Sequence, residues 1–261
     1  MSRTIIKIFG EQAESFLQNL ITGDIKLLQG NQAIYSCLLS PRGRYQFDFF
    51  VIKINDYFLI DIQSSQVSKF LETLKYRKLI TKVDFKILPE YKVYTTKTKI
   101  ADSLISFADP RLELLGFRSI LQNTPKAEDI LLNYDEIRFK NAIPEGADFT
   151  FDKSIPIEFG MDELSALSYS KGCYMGQEFT NSAKNKLVIR KRVISIISNL
   201  PLSNGDIIKN KEDTAVGEVI ATLGGLSLAL FSMQYKDEDI FVNNQKVEKY
   251  IPQWIKIYSI D

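Results

Sequence analysis

The chain has 261 residues, with 33 Lys and Arg against 32 Asp and Glu. A formal net charge of +1 excludes a whole-molecule field that would draw it to nucleic acid or to a membrane surface. The absence of histidine excludes a Ser–His–Asp triad, an imidazole base and a His metal ligand, and two cysteines, Cys37 and Cys173, are too few for a four-thiolate site in one chain.

Acid–base chemistry must then rest on carboxylates, lysines, tyrosines, a thiol or a bound cofactor. No apolar run approaches the roughly 18 residues that span a bilayer. The opening "MSRTIIKIFGEQAE" turns polar too soon for a secretory signal, and the reading is a soluble, cytoplasmic chain whose thiols stay reduced.

In chain order, "TIIKIFG" (4–10) reads as a strand and "EQAESFLQNLI" (11–21) as a helix with Ala13, Phe16, Leu17, Leu20 and Ile21 on one face. "AIYSCLLSPRGRYQFDFFVIKI" (33–54) is a β-hairpin, because Pro41 and Gly43 take the second and fourth positions of a type I turn. "YFLIDI" (57–62) is a strand. "SSQVSKFLETLKYRKLI" (64–80) is an amphipathic helix capped by serine, with Val67, Phe70, Leu71, Leu74 and Lys78 or Leu79 on one side. "VDFKIL" (83–88) is a strand, 89–125 holds short strand-like pieces, and 127–141 is a helix. From Leu187 short strands alternate with Asn-Gly, Gly-Gly and Asn-Asn turns, the pattern of a small barrel or sandwich. A boundary near 186 divides an α+β domain (1–186, in two subdomains) from an all-β domain (187–261).

The stretch "KGCYMGQE" (171–178) raises the functional question. Cys173 lies just before a segment that can begin a helix with Gly176 in its first turn, and Lys171 adds positive charge. Both favour thiolate, hence a nucleophile or metal ligand. The competing reading is a small residue in a turn. Cys37, in the apolar "AIYSCLLS", is a buried filler. Arg42 and Arg44 at the hairpin tip suit a carboxylate or phosphate clamp, or simply solvate the turn. In "IRKRV" (189–193), Arg190 and Arg192 share a face that is either a solvated edge or a grip on an anionic tail or RNA backbone.

"KGCYMGQE" resembles the K-G-C-Y-x-G-Q-E signature of the YgfZ-type folate-binding proteins, iron–sulfur assembly relatives of the glycine-cleavage aminomethyltransferase. "FLQNLITGDI" (16–25), "YSCLLSPRGRYQFDF" (35–49), "DPRLELLGFR" (109–118) and "IPEGADFTFDKSIPIE" (143–158) resemble further family segments in the same order. The resemblance implies ring-like α+β subdomains of the aminomethyltransferase type, a C-terminal β-barrel and a central tetrahydrofolate pocket. It implies a role in making or maintaining [4Fe–4S] proteins, with an indirect effect on tRNA thio-modification. By position, Cys173 is the functional thiol and a transient iron or cluster ligand, with Lys171 and Glu178 tuning it. Tyr174, Gln177, Asp48, Glu158, Arg42, Arg44 and Arg192 are the expected folate contacts, carboxylates suiting the N–H donors of a pterin edge. The partners implied are folate and iron–sulfur assembly or client proteins, with tRNA reached only indirectly and no membrane.

The sequence departs from the family at Asn181-Ser182, where an arginine is usual, and at Lys186-Leu187. Phe47-Asp48 stands where the aminomethyltransferase has two adjacent acids. The alternatives are a folate-dependent one-carbon transferase built on Asp48 and a tRNA-binding module built on Arg190 and Arg192.

Overall fold

The computed structural model describes residues 2–30, 32–126, 131–180 and 189–256. Its central element is a five-stranded antiparallel sheet in the order β2-β3-β4-β1-β5, from β1 (Arg3–Phe9), β2 (Ala33–Leu39), β3 (Tyr45–Ile54), β4 (Tyr57–Gln63) and β5 (Asp84–Ile87). Strands β2, β3 and β4 read as near-continuous apolar runs because both faces of the sheet are covered. On one face Ile6, Ile34, Phe49, Val51 and Ile60 pack beneath α1 (Ala13–Leu20) and α2 (Val67–Lys78). Phe70 and Leu74 of α2 are fully buried there, each worth about 1.5–3 kcal/mol.

Two details of α2 correct the sequence reading. A 3-10 turn at Ser64–Gln66 precedes it, so no serine side chain caps it. Leu79, expected on the apolar face, is 82% exposed because the chain leaves the helix there.

The hairpin forms as its turn residues dictate. Gly43 N–H donates to the Ser40 carbonyl at 2.9 Å, and Gly43 takes φ +68°, which a side chain would resist. The extra residue is absorbed as a register shift at Leu38/Leu39.

On its other face the sheet contributes Tyr35, Cys37, Phe50, Ile52 and Leu59 to a second core, shared with a small sheet, a helix and part of the barrel. The small sheet has the order β6-β8-β7, from β6 (Lys92–Thr96), β7 (Ile105–Ala108) and β8 (Phe117–Leu121). The helix, α3 (Tyr134–Lys140), is shorter than the span read from sequence, of which 127–130 lie outside the described residues.

Several charges in this second core are paired. Arg3 bonds Asp61 and Glu145, both at 2.6 Å, Arg111 bonds Glu145 and Asp109, both at 2.7 Å, and Arg118 bonds Asp61 at 2.8 Å. Burial pushes the Glu145 carboxyl up, but Arg3, Arg111 and Arg118 outweigh it and hold the group well below the usual carboxylate range. The guanidinium of Arg118 lies over the Phe50 ring at 4.0 Å, so an apolar face supports the ionic one.

The carboxyl-terminal strands close a barrel in the order β10-β11-β12-β9-β14-β13. They are β9 (Lys191–Ile197), β10 (Ile207–Lys209), β11 (Ala215–Leu223), β12 (Leu226–Ser232), β13 (Ile240–Val242) and β14 (Gln245–Tyr250). Ile194, Ile196, Ile208, Val219 and Phe231 fill its interior, while Val193 and Leu228 face the second core. The boundary placed near 186 falls outside the described residues. Closure overturns the solvated-edge reading of "IRKRV": β9 pairs on both sides, with β12 and β14, and Arg192 is buried.

Candidate functional site

Four residues hold the signature segment in place: Lys171 and Gly176 reach other parts of the chain, and Tyr174 and Gln177 bond within the segment. Lys171 is buried, and its ammonium donates to the Ile21 carbonyl at 2.7 Å and the Gly23 carbonyl at 2.8 Å, just beyond α1. Burial lowers its pKa to about 8. Gln177 Oε1 accepts from Tyr174 N–H at 3.2 Å, and the buried Tyr174 hydroxyl pairs with the Thr180 hydroxyl at 3.2 Å. Gly176, at φ +85°, approaches the hairpin turn so closely that a Cβ would stand 2.8 Å from the Ser40 carbonyl and 2.9 Å from Gly43 Cα. On the other side of the contact, Gly43 lies under the Phe179 ring, and Arg44 stacks over that ring at 5.2 Å.

These anchors leave Cys173 and Glu178 exposed. The two cysteines therefore differ in their surroundings. Cys37 is packed, and burial pushes its thiol well up; Cys173 stands in solvent. Two expectations shift. Helical structure begins at 177, so Gly176 forms the turn before the helix rather than part of it. Lys171 is committed to two backbone carbonyls, which makes it an anchor of the loop rather than a cation turned on the sulfur.

The expected folate contacts divide. Glu158, half-buried in the 3-10 turn Pro156–Phe159, has its carboxyl raised by burial and opposed by Lys191, Arg44 and Arg192. Its carboxylate takes no side-chain hydrogen bond among the described residues, and it gathers with Arg44 beside the thiol loop. Arg42 is exposed at the hairpin tip.

Asp48 is different: Oδ1 accepts from Tyr45 OH at 2.5 Å and Gly146 N–H at 2.9 Å, and Oδ2 from Tyr35 OH at 2.7 Å. Fully buried and served by three internal donors, it is not offered to a ligand edge. Arg192 is likewise withdrawn, bonding the Ile157 carbonyl and Glu163 Oε1, the latter at 3.2 Å, and so joining barrel to core. Tyr174 and Gln177 serve the loop itself, as described above. The departures at Asn181-Ser182 and Lys186-Leu187 lie outside the described residues. Sequence reasoning passed over Phe179, whose ring seats the hairpin turn; its signal was the glycine four residues into that turn.

The fold is that of an aminomethyltransferase with a six-stranded carboxyl-terminal barrel. Glycine cleavage system aminomethyltransferase T from Bartonella henselae superposes with a TM-score of 0.73 at 14% identity, over 98% of this chain and 84% of that one. Residues 190–257 match the family model described as the CAF17 C-terminal beta-barrel domain.

Among named proteins the chain is similar to iron-sulfur cluster assembly factors IBA57. It is 28% identical to the Dictyostelium discoideum homolog, over 76% of this chain and 62% of that protein's length. Identity to the human factor is 25%, over 87% of this chain and 75% of the human one. The Coccidioides immitis homolog matches at 25% across 100% of this chain and 83% of its own. Each of these relatives is named as mitochondrial, which overturns the cytoplasmic setting expected from the sequence.

Proposed function

We propose that the chain is an iron–sulfur cluster assembly factor in which Cys173 lends one thiolate to a cluster whose remaining ligands come from a partner protein. The observation that carries this reading is the exposed thiol set in a loop whose Lys171, Tyr174, Gly176 and Gln177 are all spent on holding it. A single thiolate cannot retain a cluster, which suits passage rather than storage. The IBA57 relatives support the assembly role and, with it, a mitochondrial setting.

The finer reading is a YgfZ-like one, with tetrahydrofolate bound near the thiol and [4Fe–4S] proteins as clients. Any effect on tRNA thio-modification passes through those clients. Glu158 fits a pterin edge, being half-buried, anionic and without a side-chain hydrogen bond among the described residues. Arg42 and Arg44 suit the carboxylates of a glutamate tail. Asp48 does not fit, because its own chain supplies its donors. That also removes the support for one-carbon transfer built on Asp48.

The test is [4Fe–4S] enzyme activity in cells lacking the protein, then supplied with the parent or with Cys173→Ser. Activity returns with the parent alone; equal rescue by the variant would refute the role of the thiol. Calorimetric titration with tetrahydrofolate, on the parent and on Glu158→Gln, tests the folate reading separately.

A further inference from the structure

The turn that ends α2 holds two aliphatic side chains where a turn ordinarily holds small ones. Thr81 N–H donates to the Lys78 carbonyl at 2.8 Å, which makes Leu79 and Ile80 its two central residues. Leu79 takes φ +48° and ψ −119°, close to the type II′ geometry in which glycine normally fills that position. A leucine there is strained, and no burial offsets the strain. Tyr76, Leu79 and Ile80 are the three most exposed large apolar side chains among the described residues, at 82%, 82% and 99%.

The chain as a whole is almost neutral, but residues 75–82 carry Lys75, Arg77, Lys78 and Lys82 and no acid. Arg77 is drawn inward, onto the Leu39 carbonyl and Gln46 Oε1. The three lysines flank the apolar pair. Lys75 meets no carboxylate among the described residues, and Lys78 and Lys82 pair with Asp84 and Glu11 at 2.7 and 2.9 Å. Both of those acids are exposed, so the pairs are weak and their lysines can exchange onto another anion.

We propose that the end of α2 is a tip that docks the protein on an anionic membrane surface. Leu79 and Ile80 enter the interfacial layer, Tyr76 lies at headgroup level, and Lys75, Lys78 and Lys82 meet lipid phosphates. The contact is peripheral, since no helix among the described residues is long and apolar enough to cross a bilayer. The sign of the charge selects an anionic surface, and the shape of the tip selects a membrane. A protruding aliphatic pair needs a fitted cavity in a protein partner, whereas a bilayer interface accepts it as it stands. A second copy of this chain fits poorly, because a two-fold contact would set the lysines against themselves. The tip acts apart from the role proposed for Cys173.

The experiment floats the purified full chain with vesicles of phosphatidylcholine, alone or mixed with phosphatidylserine. The expected result is flotation with the anionic vesicles only, weakened at least tenfold as salt rises from about 0.1 M to about 1 M. Ile80→Asp and Lys75→Glu each weaken it about tenfold while leaving the melting temperature unchanged, because both side chains stand in solvent. Leu79→Gly also weakens it, yet does not lower the melting temperature, because glycine relieves the turn. Bimane on Ile80→Cys, in a chain that also carries Cys173→Ser, shifts to the blue on anionic vesicles, and bimane on Ile207→Cys of the barrel does not. No flotation, or equal flotation with phosphatidylcholine alone, overturns the proposal. So does flotation that Ile80→Asp leaves unchanged, which would make the tip a general polyanion-binding patch of the kind that also takes RNA.

Discussion

Gly176→Ala is the sharpest test of how the thiol is presented. Gly176 holds φ +85°, where a side chain costs about 1–2 kcal/mol. The new Cβ would also stand 2.8 Å from the Ser40 carbonyl and 2.9 Å from Gly43 Cα. Both obstacles are backbone in a hydrogen-bonded turn and cannot swing aside, so overpacking adds about 1–3 kcal/mol. The loop relieves this by lifting off the hairpin, so the penalty is felt where the thiol is, with the sheets and barrel intact. Gly172→Ala, in the same signature, is the control, because nothing lies within 4 Å of its added Cβ and its φ is not left-handed. It changes stability by less than about 0.5 kcal/mol. Urea denaturation and the alkylation rate of Cys173 read the two effects together. If Gly176→Ala matches Gly172→Ala in both, the close approach of loop and turn is not what holds Cys173 in place.

In the native protein a disulfide reagent titrates one thiol, Cys173, and a second only in denaturant, because Cys37 is fully buried; two fast thiols would contradict the packing. Arg111→Met strips a cation from Glu145 and Asp109 inside the core and should cost about 3–5 kcal/mol by denaturant midpoint. Burial raises the Glu163 carboxyl from 4.5 to about 7 despite Arg192. The folded state thus keeps a proton that the unfolded chain releases above about 4.5, so stability falls as pH rises from there to about 7, by up to about 3 kcal/mol. Glu163→Gln should flatten that fall; Asp148, raised to about 6 by burial, leaves a residual slope at the acid end.

What was legible in the sequence was local. The Pro41–Gly43 turn, the face of α1 and the closely spaced turns after 190 each announce themselves within a dozen residues, and each appears in the fold. The signature pointed to Cys173 but not to the division of labour around it, since nothing local says that Lys171 reaches back to Ile21 and Gly23. Asp48 looked available because its three donors come from Tyr35, Tyr45 and Gly146, brought together only by sheet pairing and a distant turn. Arg192 misled for a related reason: alternation of charge along a strand resembles a solvated edge, and barrel closure leaves no edge. The ionic core escaped notice altogether, because its pairs join strands and turns as far apart as Arg3 and Glu145.

The position of β1 also bears on how the protein is made. It lies between β4 and β5, so it must wait for residues 57–63 before one side is covered and for 84–87 before both are. At about 5–20 residues per second the wait is roughly 4–16 s. Until β4 arrives Ile5, Ile6 and Ile8 are an unpaired apolar strand, and throughout Arg3 has yet to meet Glu145. An apolar strand with an open edge is exposed to wrong pairing, and slowed translation lengthens that period.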